Sequence, residues 1–238
     1  GWVAQGPLGS EFEKQFAKKV GALEAIAVSN CTTGLHLALI VGGITKGHDV
    51  IVPSFSYIAT TNAVIHAGAN PVFADVSIET GNLTAETISA AITASTKAVI
   101  LVHQAGVPAQ IDEIKSLCDL HGILLIEDAA CAIGSKYKND LIGSHSSLVV
   151  FSFHPRKVLT TGEGGMICTS NPEWAIRLRR LREHGMSSSA AERHAQGGVL
   201  IENYSETGYN FRLTDLQAGL GLAQLEKLDE MVEVRRKQ

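Results

Sequence analysis

The stretch "KAVILVHQAGVPAQIDEIKSLCDLHGILLIED", residues 97–128, carries the clearest signal of the fold class. It predicts a strand ("KAVILV"), a helix ("IDEIKSLCDLHG") and a second strand ("ILLIED"). Both strands are continuously apolar, which is typical of strands covered on both faces of a parallel sheet. Because parallel neighbours need a crossover connection, the intervening helix completes a βαβ unit. The stretch therefore predicts an α/β fold.

The same alternation extends in both directions from this unit. Towards the N-terminus, helical segments separate the apolar strands "AIAVS" (25–29), "DVIVP" (49–53) and "PVFADV" (71–76). Towards the C-terminus, the shorter strands "SLVVFSF" (147–153) and "GGMICTS" (164–170) lie close enough in sequence to be neighbours. We predict a three-layer αβα fold, with a mostly parallel central sheet and helices on both faces.

Capping boxes predict two helix starts. Ser10 with Glu13 predicts one near the N-terminus, and Thr214 with Gln217 predicts another, because such pairs satisfy unpaired backbone N–H groups. The second helix is expected to continue as one element through residues 215–237. Its apolar side is expected to contain Leu216, Leu220, Ala223 and Leu228.

The composition limits the class of protein. The chain has 238 residues, of which 45% are hydrophobic and 18% charged, which is enough for one large domain. Its formal net charge of −4 gives no basic surface, so we expect neither nucleic acid nor a membrane as a partner. No apolar run reaches the roughly 20 residues of a membrane helix, and the N-terminus lacks the features of a signal peptide.

The cysteines indicate the compartment. Cys31, Cys118, Cys131 and Cys168 are scattered without a C-x-x-C pair. This spacing favours reduced thiols over a disulfide framework or a zinc site. We therefore predict a cytoplasmic protein with no metal site.

A possible phosphate site follows the first predicted strand. In "SNCTTG", residues 29–34, the backbone N–H groups of a helix start and the hydroxyls of Thr32 and Thr33 are suited to hold a phosphate. A plain helix cap is the alternative, because small polar residues commonly precede helices.

Two charged residues follow later strands. Asp128 ends an apolar strand, so its half-buried carboxylate needs a partner, either a protonated ring nitrogen or a neighbouring helix or strand end. Lys157 lies just past "SLVVFSF", where a partly desolvated amine can act as a nucleophile towards an aldehyde. The alternatives are an ordinary surface lysine, or Arg156 as the functional cation.

One cofactor would use all three features. Pyridoxal 5'-phosphate offers an aldehyde to a lysine, a ring nitrogen to an aspartate and a phosphate to a helix start. Its ring also needs an aromatic neighbour, for which Tyr57 in "PSFSYIAT" is the candidate. A half-buried packing tyrosine is the alternative reading of Tyr57.

Five stretches carry a resemblance to a known family. They are residues 6–39, residues 50–76, "IEDAACAIGSKY" (126–137), "FSFHPRKVLTTGEGGMICTS" (151–170) and "GYNFRLTDLQAGLGLAQLEKLDE" (208–230). In this order they closely resemble the DegT/DnrJ/EryC1/StrS family of pyridoxal-phosphate aminotransferases. Members are fold-type I enzymes that mostly aminate nucleotide-linked keto sugars. The resemblance implies pyridoxal 5'-phosphate as cofactor, glutamate as amino donor and a nucleotide-linked keto sugar as acceptor.

The resemblance implies roles around the cofactor's ring. Lys157 corresponds to the Schiff-base lysine, which is both tether and general base, and Asp128 to the partner of the ring nitrogen. Tyr57 occupies the stacking position. Cys131 stands where the family often has glutamine or histidine, and it is a poorer hydrogen-bond partner for the ring oxygen. Because relatives that dehydrate carry histidine at the lysine position, Lys157 favours transamination.

The resemblance also implies a phosphate site and a dimer. The residues that hold the phosphate in the family correspond to Thr32, to the backbone at the neighbouring Cys31 and to Ser152. Asn210, in "GYNFR", matches an asparagine that reaches the phosphate of the neighbouring subunit. A homodimer with shared active sites is therefore expected.

The resemblance divides the chain unequally. It implies a large PLP-binding domain over residues 1–228, with residues 229–238 beginning the connection to a smaller C-terminal domain that this chain lacks. We therefore expect a fragment or a truncated relative. The long Ser-, Ala- and Gly-rich loop at 186–208 contains Arg193 and His194, candidates for contacts to the substrate's diphosphate. A solvated loop without this role is the alternative.

Three other functions are compatible with parts of the sequence. A truncated relative that binds the cofactor without turnover is one, and an aminotransferase acting on a keto-cyclitol is another. A nucleotide-binding protein without pyridoxal phosphate is disfavoured, because no G-x-G-x-x-G fingerprint follows the first strand.

Overall fold

The computed structural model describes residues 3–187 and 203–238, and it centres on a seven-stranded sheet. The order across the sheet is β1-β9-β8-β5-β4-β2-β3. The strands are β1 (Glu24–Val28), β2 (Asp49–Pro53), β3 (Asn70–Ala74), β4 (Thr96–Val102), β5 (Leu124–Asp128), β8 (Leu148–Ser152) and β9 (Gly165–Thr169). A small hairpin pairs β6 (Lys136–Tyr137) with β7 (Asp140–Leu141).

The predicted mostly parallel sheet is confirmed. Strands β3, β2, β4, β5 and β8 pair in parallel, whereas β9 runs antiparallel to both β8 and β1. In the centre, Asp128 is in register with Val102 of β4 and with Val150 of β8. The carboxyl end of β5 is therefore flanked on both sides by other strand ends, where ligands of open α/β sheets collect.

Helices cover both faces of the sheet, as predicted. The buried side chains of α1 (Pro7–Val20), α4 (Ala85–Ala91), α5 (Ile111–His121), α7 (Asp215–Leu225) and α8 (Leu228–Arg236) join the hydrophobic core on one face. Those of α2 (Cys31–Val41), α3 (Ala59–His66) and α6 (Pro172–Leu181) form the core on the other. A short 3-10 turn, Gln104–Gly106, follows β4. Among the described residues, no helix combines the length and apolarity needed to cross a bilayer.

The first helix begins earlier than predicted. Helix α1 starts at Pro7 after Gly6, so Ser10 lies inside the helix and the predicted capping box with Glu13 is wrong. The Glu13 side chain is buried, accepts a hydrogen bond from the Ala27 N–H at 3.0 Å and pairs with Arg182. Glu13 therefore ties α1 to the edge strand β1, because a buried carboxylate requires such partners.

The C-terminal helical segment differs from the prediction in two ways. The capping box of Thr214 and Gln217 is confirmed, but α7 ends at Leu225 and α8 begins at Leu228. The predicted apolar side is also wrong, since Leu216 and Leu220 are 69% and 45% exposed. The buried positions are Asp215, Ala218, Gly221 and Leu225.

Close packing against α1 explains which side of α7 is buried. A Cβ atom at Gly221 would lie 2.7 Å from the ring of Phe12, so only glycine allows the two helices to approach this closely. At the start of α7, the Asp215 carboxylate accepts hydrogen bonds from the N–H groups of Leu8 and Gly9 at 3.3 and 2.9 Å. The close approach at Gly221 and the polar contacts of Asp215 therefore join these helices.

Candidate cofactor site

Asp128 is the buried anion of the site. It ends β5 and is 5% exposed. Its Oδ1 accepts a hydrogen bond from the Ala130 N–H at 3.1 Å, and its Oδ2 accepts one from the Thr60 hydroxyl at 3.0 Å. The Cys31 thiol lies 4.0 Å from Oδ1. The carboxylate is thus held in one orientation by three different segments of the chain.

Burial raises the pKa of Asp128 above its ordinary value. The hydrogen bonds from Ala130 and Thr60, and the charges of His103 and Lys157, oppose this shift without cancelling it. The hydrogen bonds and charges of the protein therefore offset only part of the cost of burying the Asp128 carboxylate. A cationic or proton-donating group placed beside it would gain a strong charge-assisted hydrogen bond.

The start of α2 has unpaired N–H groups. Asn30 caps the helix through reciprocal hydrogen bonds with Thr33, at 2.9 and 3.3 Å. The backbone N–H groups of Cys31 and Thr32 have no protein partner among the described residues. Because these donors lie at the positive end of the helix dipole, they suit an anion such as a phosphate.

The two predicted threonines have different roles. The Thr33 hydroxyl donates to the Asn30 carbonyl at 2.8 Å and accepts the Asn30 N–H, so it belongs to the cap and is not available for a phosphate. The Thr32 hydroxyl has no protein partner in the described parts of the chain. The sequence prediction for Thr33 is therefore corrected, and the one for Thr32 stays a prediction.

Two glycines bring Ser152 to the start of α2. A Cβ atom at Gly34 would lie 2.7 Å from Val150, and one at Gly165 would lie 2.8 Å from the Cys31 nitrogen. Helix α2 therefore lies directly on β8 and β9. Ser152 ends β8 and is paired with Gly165. Its side chain points to the same face of the sheet as that of Val150, two residues before it, and this is the face that α2 covers.

Lys157 lies in a turn after β8. Its N–H donates to the His154 carbonyl at 2.8 Å, and its Nζ donates to the Cys131 sulfur at 3.0 Å. Burial, followed by the charge of Asp128, raises the pKa of the Cys31 thiol, whereas Lys157 lowers it. Cys131 lies three residues after Asp128, and the Cys31 thiol at the start of α2 lies 4.0 Å from Asp128 Oδ1. The predicted amine, carboxylate and helix start converge at one edge of the sheet.

Tyr57 is exposed at the entrance to α3. Its side chain is 75% exposed, so the alternative of a half-buried packing tyrosine is wrong. Hydrogen bonds hold the segment that carries Tyr57. The hydroxyls of Ser56 and Thr60 lie 2.9 Å apart, and the Thr60 hydroxyl donates to Asp128. The ring is therefore carried by a segment that contacts the buried carboxylate.

Thr60 is the functional candidate that sequence reasoning missed. It is 1% exposed, and its hydroxyl is a direct partner of Asp128. The sequence offered one signal for Thr60, because it is a polar residue four positions after Ser56 on the buried side of a short helix. That spacing cannot reveal which distant residue the hydroxyl contacts.

The remaining predicted residues lie farther from this cluster or outside the described chain. Asn210 is exposed and forms a β-bridge with Glu183. The neighbouring Phe211 carbonyl accepts a hydrogen bond from Ser29 at 2.8 Å, which places this segment next to the loop before α2. Arg193 and His194 lie outside the described residues.

These features fit pyridoxal 5'-phosphate. Asp128 is a partly compensated buried carboxylate for the ring nitrogen, and the N–H groups at the start of α2 can accept a phosphate. Lys157 is positioned by its turn and contacts only a thiol through Nζ within the described structure. The site therefore provides a partner for each reactive group of the cofactor.

Comparison with known proteins places this architecture in one family. The model of the DegT/DnrJ/EryC1/StrS aminotransferase family matches residues 1–238. The spore coat polysaccharide biosynthesis protein SpsC of Bacillus subtilis (strain 168) is 43% identical over 235 residues, which are 99% of this chain and 60% of SpsC.

Solved structures give the same result. An aminotransferase from Psychrobacter cryohalolentis is 36% identical with a TM-score of 0.90, over 96% of this chain and 59% of that one. Spr1654 from Streptococcus pneumoniae, in its PMP form, is 29% identical with a TM-score of 0.92, over 100% of this chain and 64% of that one. This likeness confirms the fold-type I architecture. The chain spans about three fifths of the length of these relatives.

Proposed function

This chain belongs to the DegT/DnrJ/EryC1/StrS aminotransferase family, and on that basis we propose that it acts as a pyridoxal-phosphate-dependent aminotransferase. The observation that carries the proposal is that the Cys31 thiol, at the start of α2, lies 4.0 Å from Asp128, while Lys157 Nζ contacts Cys131, three residues after Asp128, at 3.0 Å. The PMP form of Spr1654 supports the choice of cofactor, because PMP is the aminated form of pyridoxal phosphate.

In this proposal, separate segments hold separate parts of the cofactor. The phosphate is bound by the N–H groups of Cys31 and Thr32, by the Thr32 hydroxyl and by Ser152. Asp128 binds the ring nitrogen, and its oxygens are already oriented by Thr60 and Ala130. The exposed ring of Tyr57 would cover one face of the bound cofactor, and Cys131 would lie near its ring oxygen.

The chemistry requires a stabilised carbanion and a proton carrier. When bound, pyridoxal phosphate supplies an electron sink, provided that its ring nitrogen stays protonated. Asp128 maintains that proton, because its carboxylate is buried and accepts charge-assisted hydrogen bonds. Lys157 anchors the cofactor, removes the proton from Cα of the amino donor and later returns a proton to the acceptor carbon.

We propose glutamate as donor and a nucleotide-linked keto sugar as acceptor. The family resemblance supports both, and SpsC, a polysaccharide biosynthesis protein by name, supports a sugar acceptor. A keto-cyclitol acceptor is the alternative within the same chemistry. The scattered cysteines support a cytoplasmic location.

We also propose a homodimer and a two-domain protein. Asn210 is exposed and would reach the phosphate site of the partner subunit. Residues 1–228 form the cofactor-binding large domain, and residues 229–238 begin the connection to a smaller domain. The greater length of the relatives supports this division.

The visible absorbance of the bound cofactor tests the proposal. The purified protein, supplied with pyridoxal phosphate, should show a visible band that glutamate bleaches. Lys157→Ala should lack the lysine-linked band, whereas Lys97→Ala, a matched change of an exposed lysine on β4, should retain it. A lysine-linked band that persists in Lys157→Ala would refute the assignment of Lys157. A band that glutamate leaves unchanged would instead favour a cofactor binder without amino transfer.

Mixed subunits test the shared site. Lys157→Ala and Asn210→Ala chains are each expected to be impaired in amino transfer. Their mixture should recover part of the activity, because one of the two sites in a mixed dimer combines the native Lys157 with the native Asn210. Independent sites would give no recovery.

A further inference from the structure

The Lys157 amine lies against a thiol. Its Nζ is 3.0 Å from the Cys131 sulfur, which is its only side-chain hydrogen-bond partner within the described residues. The two residues belong to turns that follow neighbouring parallel strands, Cys131 three residues after the end of β5 and Lys157 five residues after the end of β8. Cys131 is exposed and Lys157 is half-buried. A small oxidant can therefore reach the sulfur while the amine stays beside it.

Backbone contacts hold this pair together. The Ala129 N–H donates to the Val150 carbonyl at 2.8 Å, which ties the turn after β5 to β8. A Cβ atom at Gly106 would lie 2.6 Å from the Cys131 carbonyl oxygen, so the backbone of Cys131 is packed against the turn after β4. Lys157 stands in a turn that its own N–H group closes. The contact between sulfur and amine thus joins two fixed segments rather than two free loops.

Cys131 is the cysteine that an oxidant reaches most easily. Cys118 and Cys168 are buried. Cys31 is the nearest competitor for an oxidised Cys131, but burial raises the pKa of the Cys31 thiol well above its ordinary value. Since the thiolate is the form that attacks an oxidised sulfur, the Lys157 amine has the advantage over Cys31.

We propose that Cys131 and Lys157 form a reversible covalent cross-link when the protein meets hydrogen peroxide. First, the Cys131 sulfur attacks the peroxide and the O–O bond breaks. The sulfur loses two electrons and becomes a sulfenic acid, and the peroxide is reduced to water. Second, the neutral Lys157 amine attacks this sulfur. An S–N bond forms, the S–O bond breaks, and the hydroxyl group leaves with an amine proton as water.

Two molecules of a small thiol would reverse the cross-link. The first attacks the sulfur, releases the Lys157 amine and leaves a mixed disulfide on Cys131. The second releases the Cys131 thiol and is itself oxidised to the disulfide of the small thiol. Both side chains then return to their starting forms.

The cross-link would consume the amine that holds the cofactor, and this consequence alone rests on the proposed function. While Lys157 is joined to the cofactor's aldehyde, its amine is not available to Cys131. With the aminated form of the cofactor bound, the amine is free again. Peroxide should therefore inactivate the aminated form and spare the aldehyde form.

Mass spectrometry of the peroxide-treated chain tests the cross-link. At alkaline pH, the cofactor-free protein should lose about 2 Da, because forming the S–N bond removes two hydrogens. Peptide mapping should join the Cys131 peptide to the Lys157 peptide, and dithiothreitol should separate them. Lys157→Arg keeps the positive charge without a nucleophilic amine, so it should instead accumulate a sulfenic acid at Cys131 that dimedone traps. Cys131→Ser should give neither product.

A disulfide between Cys31 and Cys131 would cause the same loss of mass, so Cys31→Ser is the matched control. It should keep the cross-link to Lys157. Loss of the product in Cys31→Ser, or its retention in Lys157→Arg, would overturn the proposal. A wild-type chain that peroxide leaves unchanged would do the same, as would one that yields only the dimedone adduct.

The two cofactor forms separate this inference from the proposed function. Pyridoxal phosphate should suppress the cross-link, whereas pyridoxamine phosphate should leave the Lys157 amine free to form it. Equal cross-linking in both loaded forms would support the covalent modification. It would at the same time count against Lys157 as the residue that holds the cofactor.

Discussion

The Thr60 hydroxyl donates a hydrogen bond to Asp128 Oδ2 across 3.0 Å, and this contact joins α3 to the end of β5. Thr60 is itself held by Ser56 at 2.9 Å. Because Ala130 occupies the other carboxylate oxygen, Asp128 is oriented before any ligand binds. Preorganisation of this kind lowers the cost of binding a cationic ring nitrogen.

Replacement of Thr60 should weaken cofactor binding. Thr60→Val removes the hydroxyl at nearly constant volume, and a hydrogen bond to a charged group is worth about 1.5–3 kcal/mol. We expect the dissociation constant of pyridoxal phosphate to rise by about 10-fold or more, and Thr60→Ser to restore most of the affinity. Absorbance titration measures both. Equal affinities for the valine and serine variants would show that the hydroxyl has no such role.

Replacement of Asp128 should have opposite effects on cofactor affinity and on stability. Burial raises the pKa of Asp128, so the ionised carboxylate disfavours the cofactor-free fold as the pH rises through the pKa of the folded state. Asp128→Asn should therefore raise the Tm of the cofactor-free protein more at pH 8 than at pH 5. The same variant should bind pyridoxal phosphate more weakly. A gain in Tm that is independent of pH would argue against this electrostatic origin.

Cys131 should be the first cysteine to react with thiol reagents. It is exposed, whereas Cys118 and Cys168 are buried. Burial raises the pKa of Cys118 to about 11, and it also raises those of Cys31 and Cys168, which lowers their reactive thiolate fraction.

Iodoacetamide labelling followed by mass spectrometry distinguishes the cysteines. Pyridoxal phosphate should slow the labelling of Cys131, because Lys157 Nζ lies 3.0 Å from its sulfur. Cys131→Ser should lose the fast phase. Preferential labelling of Cys118, or no protection by the cofactor, would contradict the geometry.

Two glycines of α7 should respond differently to alanine. A Cβ atom at Gly221 would lie 2.7 Å from the Phe12 ring, so Gly221→Ala should lower the free energy of unfolding by about 1–3 kcal/mol. A Cβ atom at Gly219 would lie 3.4 Å from the Leu8 side chain, an ordinary contact. Gly219→Ala should therefore be neutral or stabilise by up to about 1 kcal/mol, since alanine favours helices. Urea unfolding measures both, and equal losses would exclude the close contact with Phe12.

Local patterns were sufficient for the order and type of most elements. Continuous apolar runs identified the buried strands, and the same runs placed Asp128 and Lys157 at strand ends. The cap at Thr214 was also predictable, because its partner lies three residues away. The apolar side of α7 was not, since Leu216 and Leu220 satisfy helical spacing but are exposed.

Apolar periodicity is a local property, so the order of residues was enough to predict the alternation of strands and helices. It was also enough to predict the edge of the sheet at which Asp128 and Lys157 lie. The contact by which Thr60 orients Asp128, 68 residues away, becomes visible only in the folded chain. The reason is physical: such contacts depend on how closely helices approach the sheet and one another. Close approach is possible at Gly34, Gly134 and Gly221 because these residues have no side chain. The effect of the missing side chains appears only once distant segments pack together.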